Sequence, residues 1–166
     1  MISKKIASVI TSVMVFCCIV GVSLTNVKAD DSAPKSVDGS YLISADSSTG
    51  YTPKNNERGK HLMDGQCSIS KTGTKRIYAY GSTTANHTVD AVAVIVYVDR
   101  YHESDGKWHQ IDAFSKKVEN DYYSAISKSI QVDRGYYYRV HAEHFVRMGE
   151  DPIEETYSYT NGILVP

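Results

Sequence analysis

The run Val89–His102, VDAVAVIVYVDRYH, constrains this chain more than any other stretch. Val92, Val94, Val96 and Val98 recur at alternate positions, and Ala91, Ala93, Ile95 and Tyr97 fill the places between them. A period of two marks extended chain, whose successive side chains point to opposite faces. Both faces are apolar at its middle, so the run predicts a central strand covered on both sides or nearly so. Such a strand needs neighbours on both edges and cover on both faces.

The chain from His61 onward supplies them. Asp105-Gly106 ends the run with the positive φ that a tight hairpin needs. In KWHQIDAFSKK, Trp108 and Ile111 have opposite parity, which predicts a bulge between them. Ile126, Ile130 and Val132 share a parity, Asp133-Arg134-Gly135 is a turn, and 135–148 reads as a long strand. A turn at 149–152 leads to a strand over 156–165, and 67–71 and 76–82 are two more strands split by Thr72-Gly73-Thr74. No window has helical periodicity. The reading is all-β: an antiparallel β-sandwich of about seven strands over residues 61–166, with a small β-barrel as the alternative. Thirteen tyrosines against three phenylalanines fit a thin sheet, because a half-wet Tyr covers apolar surface while its hydroxyl stays solvated.

Upstream the composition changes twice. Lys4 and Lys5, an apolar run from Ile6 to Val22, and small or β-branched residues at Val27 and Ala29 read as a secretory signal peptide over residues 1–29. An uncleaved membrane anchor is the alternative, and Phe16 before Cys17 argues against lipid attachment. Residues 30–60 are rich in Ser, Asp, Gly, Pro and Lys and predict a flexible polar tether, with one pairing segment around Tyr41. Loss of Lys4, Lys5 and Lys28 with the signal takes the formal charge from −1 to about −4. No basic stripe is present, so nucleic acid is not an expected partner, nor is a membrane after signal cleavage. Cys67 is the one cysteine outside the signal. It is expected as a small buried hydrophobe, and so cysteine-poor an exported domain points to a Gram-positive cell rather than to a disulfide scaffold.

Two sets of residues are candidates for function. In YYYRVHAEHFV, Arg139, His141 and Glu143 share one face of the expected strand and His144 points to the other. That split removes the geometry by which H-E-x-x-H holds zinc on a helix. Arg139, His141 and Glu143 are therefore a polar site in which no metal or other cofactor is expected. No nucleophile elbow, catalytic cysteine pair or phosphate-binding loop occurs. The second set is aromatic: Tyr97, Tyr101 and Trp108 flank the Asp105-Gly106 hairpin as a ligand platform, with Tyr157 and Tyr159 alternating near the C-terminus.

The segments ISKTGTKRIYAYGSTTA, VDAVAVIVYVDRYHESDGKWHQI and VDRGYYYRVHAEHFV resemble a family of small exported proteins from Gram-positive anaerobes, chiefly clostridial relatives. The resemblance implies export and a β-sandwich and assigns no activity to any residue. The expectation is an exported, non-enzymatic protein that binds an extracellular or cell-envelope partner, a glycan or a protein. The alternatives are an extracellular hydrolase, metal-assisted through His141 and Glu143, and a surface protein that self-assembles through strand edges.

Overall fold

The computed structural model describes residues 33–53 and 59–166, with Met63 described by its backbone alone. The expected signal peptide over 1–29 lies outside the described residues, as do 30–32 and 54–58 of the expected tether. Among the described residues there is no helix and there are nine strands. They are β1 (Ser36–Val37), β2 (Ser40–Ile43), β3 (Ser47–Tyr51), β4 (Leu62–Gly73), β5 (Arg76–His102), β6 (Lys107–Gln131), β7 (Tyr136–Arg147), β8 (Glu154–Tyr159) and β9 (Gly162–Val165).

The protein is all-β. Where about seven strands in a sandwich were expected, the nine belong to one mixed sheet curled into a half-barrel. Its order is β1-β2-β9-β7-β5-β4-β3, with β6 on the far edge of β5 and β8 beside β7. All pairs are antiparallel except β2 with β9.

The curl originates in β5, which is 27 residues long. Its first part, Arg76–Ala85, pairs with β4, and its second, Ala91–Arg100, pairs with β7, while β6 follows its other edge throughout. Between them Ala85, Asn86, His87 and Thr88 oppose Tyr122 alone, next to Asn120 at φ 54°. So unequal a count bends both strands. The corner is pinned from outside: Asn86 N–H donates to His61 O at 2.9 Å and its side-chain amide to Lys60 O at 2.8 Å. A smaller irregularity leaves Ile111 without a partner, inside the interval where the parity change predicted a bulge.

The concave side is the core. Val94, Val96 and Val98 are wholly buried there with Cys67, Ile69, Ile77, Val140, Ala142 and Ile163, and Val92 in a second cluster with Leu62, Ala85, Val89 and Val146. The other face of the valine run, at Ala93, Ile95 and Tyr97, is half-buried, so cover on that side is partial.

The polar composition of 30–60 predicted a tether with one pairing segment around Tyr41; β2 lies at that segment, and β1 and β3 fall within the stretch as well. Backbone pairing at a sheet edge asks little of side-chain hydrophobicity. Asp38 and Gly39, at φ 48° and 75°, make the tight turn between β1 and β2, and β2 adds to the edge of β9.

Candidate functional site

Odd-numbered residues of β7 and of β5 from Ala91 onward form the convex face; before the corner the parity of β5 is reversed, and Ile77 and Ala79 point into the core. Register places Tyr97 opposite His141, Asp99 opposite Arg139, and, on the next strand, Tyr159 opposite His141 and Tyr157 opposite Glu143. Directly paired residues share a face, so the two candidate sets of the sequence meet on one surface.

Asp99 organises that surface. It is 3 % exposed, and its Oδ2 accepts from Arg139 Nε at 2.9 Å and from His141 Nδ1 at 2.9 Å. Burial alone would raise the carboxyl, but the hydrogen bonds and charge of His141 and Arg139 outweigh it and hold Asp99 below the usual carboxylate range. A carboxylate only accepts, so His141 carries its proton on Nδ1, and Nε2 is left without a partner among the described residues. The imidazole lies flat against Tyr97, with centroids 4.6 Å apart and planes at 10°. The Tyr97 hydroxyl donates to Glu143 at 3.0 Å. Burial and the Glu143 carboxylate raise the Tyr97 phenol, so it is a neutral donor near neutrality.

Arg139 ties this centre to the N-terminal hairpin. Nη1 donates to Asp38 O at 2.9 Å and Ser40 Oγ at 3.1 Å, and Nη2 to Asp38 Oδ2 at 3.0 Å. The guanidinium stands 4.7 Å from the Trp108 ring, and Trp108 Nε1–H donates to Val37 O at 3.0 Å. Lys35 donates to the Tyr101 hydroxyl at 2.7 Å. Between hairpin and sheet lies a cleft of about 550 Å³ lined by Asp38, Asp99, Lys107, Trp108, Gln110, Arg139 and His141. A cleft of about 540 Å³ nearby contains Arg100 and Arg134, but Arg100 is committed to Asp133 and Arg134 to the carbonyl of Pro166.

The proposed aromatic platform is thus divided. Tyr101 is 2 % exposed, covered by the 33–43 segment, and Trp108 is half-buried between Tyr101 and Arg139. Tyr97 belongs with His141 and Glu143 instead. Tyr157 and Tyr159 do stand open, at 52 % and 42 %, with their rings nearly parallel at 6.2 Å. His144 points inward, as its parity required, and is fully buried. Among the described residues no group of three or more His, Cys, Asp or Glu converges to hold a metal ion.

Two residues of this centre were not singled out from the sequence. Asp99 had a signal, because it interrupts the apolar run at the parity of Tyr97 and Tyr101. Asp38 had only its turn-forming Asp-Gly pair, and nothing local said that the turn would reach residue 139. In comparisons with known proteins, no family model and no curated protein matches this chain.

Proposed function

We propose that this is an exported, non-enzymatic binding protein that holds a cell-envelope glycan on the convex face of its sheet. One observation carries the reading: the exposed Tyr157 and Tyr159 and the half-buried Tyr97, His141 and Glu143 form a continuous surface on adjacent strands, leading into the cleft beside Trp108. Rigid rings offer apolar area to the C–H faces of a sugar at low entropic cost. Glu143 and the free Nε2 of His141 offer an acceptor and a second polar atom to its hydroxyls. The N-terminal sequence supports export, and the mildly acidic charge disfavours polyanionic nucleic acid.

The Asp99–His141 pair also favours a second reading, a hydrolase in which an oriented imidazole takes a proton from water. Among the described residues no serine, threonine or cysteine is hydrogen-bonded to that imidazole, so the reaction would have to use water directly.

Isothermal titration of the protein with soluble peptidoglycan fragments and a panel of neutral oligosaccharides tests the first reading. Replacing Tyr157 and Tyr159 together by alanine is expected to weaken binding by roughly tenfold or more, the worth of two stacking rings. Equal binding by the variant would refute the convex face as the ligand surface. Turnover of the same oligosaccharides, abolished by His141→Gln, would move the assignment to the hydrolase.

A further inference from the structure

The Asp38 carboxylate is held in an unusual way. Its side chain is 78 % exposed, on a turn residue in the left-handed region, yet it reaches Nη2 of an arginine that is itself 8 % exposed. Arg139 has its Nε fixed by buried Asp99, so the guanidinium stays in place whatever Asp38 does. The outer edge of the fork, beside the Trp108 ring, is where Asp38 sits. Lys107, which has no ion-pair partner among the described residues, and His141 line the same cleft.

Displace the Asp38 turn, whose carboxylate accepts from Nη2 and whose backbone carbonyl accepts from Nη1, and the cleft offers a forked guanidinium edge, the half-buried indole of Trp108 beside it and a free ammonium group. Such a set takes a carboxylate attached to a ring: the fork bonds both oxygens and the exposed part of the indole packs beside the ring. Ser40 anchors the base of the hairpin, its buried hydroxyl donating to Thr160 O and accepting from Arg139 Nη1. The tip ahead of it is attached in a way that exchanges readily: β1 is two residues long, and the hydrogen bonds to Val37 O and Asp38 O can be replaced by water or a ligand. Most of residues 33–43 are exposed.

From this geometry we infer that the cleft is a subsite for a carboxylate-bearing sugar residue, and that Asp38 occupies it as a built-in substitute until an acidic glycan displaces it. The inference rests on the glycan reading above and specifies its ligand as a uronic-acid-type unit. Trp108, the only tryptophan in the chain, lies against the hairpin and reports the exchange directly.

The test is titration of the protein with tetragalacturonate, with its fully methyl-esterified form, and with a tripeptide bearing a free C-terminal carboxylate. Trp108 emission and heat are read in parallel. The acid is expected to perturb Trp108 and to bind at least roughly tenfold more tightly than the ester, which keeps the rings and loses the charges. Asp38→Asn keeps a residue that tolerates positive φ and removes the competing charge. It is expected to bind the acid about threefold more tightly, the worth of a half-exposed ion pair. Lys107→Gln, which leaves the hairpin contacts intact, is expected to bind it about threefold more weakly.

Equal affinity for acid and ester, or no gain in Asp38→Asn together with no loss in Lys107→Gln, would overturn the subsite. Preferential binding of the tripeptide would overturn its assignment to a sugar. If ester and neutral oligosaccharides bind as well as the acid and depend on Tyr157 and Tyr159, the subsite falls while the glycan reading survives. If no sugar binds at all, both fall.

Discussion

His144 shows how much one interior side chain can govern. Its Nδ1 is 2.9 Å from Thr83 Oγ1, and Nε2 is 2.8 Å from Ser158 Oγ. The Thr83 hydroxyl already donates to Ala93 O at 2.8 Å, so it accepts from Nδ1–H, and Ser158 donates to a bare Nε2. The neutral ring is fully satisfied. Its space exists because position 65 is glycine: a Cβ there would run into the imidazole. Burial lowers the His144 pKa from 6.5 to about 4. A lowered histidine pKa means that the unfolded chain binds the proton first. Stability is therefore complete above pH 6.5 and drains away as pH falls towards 4, by on the order of 3 kcal/mol. Denaturant midpoints between pH 7.5 and 4.5 are expected to fall accordingly, and much less so in His144→Gln. An unchanged midpoint at pH 5 would contradict this account. Asp99, held low, loses its contribution only further down, below the ordinary carboxylate range. Parity alone placed His144 inward, but nothing in the sequence announced Thr83 and Ser158, which come from positions 61 and 14 residues away.

At the scale of elements, the long β5–β6 hairpin sets the shape. β6 has 25 residues and, among the described strands, pairs with β5 alone, so its outer edge could template another strand. The chain blunts that edge with Lys107, Lys116, Lys117 and Lys128 and with irregularities at Ile111 and Asn120. Lys128 also reaches across to Asp112 at 2.7 Å and stands over the Phe114 ring. Replacing Lys116 and Lys117 together by valine is expected to produce concentration-dependent association in sedimentation velocity, with the parent chain sedimenting as a smaller species. A variant with unchanged sedimentation would show that those lysines do not guard the edge. The valine run, the Asp105-Gly106 hairpin and the interval of the bulge were all legible, because each is a local pattern. The extension of β6 from Lys107 through Asn120 as one strand was not, since continuity across a corner depends on what lies opposite.

For the whole molecule, the decisive pairings are distant in sequence. β2 joins β9, and Arg139 grips Asp38, across 101 to about 120 residues. A topology of this kind pays loop-closure entropy before its contacts form, so refolding is expected on a scale of roughly milliseconds to seconds. Stopped-flow Trp108 fluorescence reads it, because the indole N–H gains the Val37 carbonyl only when the N-terminal hairpin docks. Complete recovery within microseconds would argue against that order of events. By itself the sequence determined that the chain is extended, which side chains face inward along each strand, and where the tight turns fall. Those properties are set by neighbours one to four residues apart. Only the tertiary structure decided that the strands close into a single curled sheet, that a stretch of tether composition covers Tyr101, and that Asp99 gathers Arg139 and His141. A hydrogen bond between distant residues costs the sequence no periodicity and leaves no local trace in it.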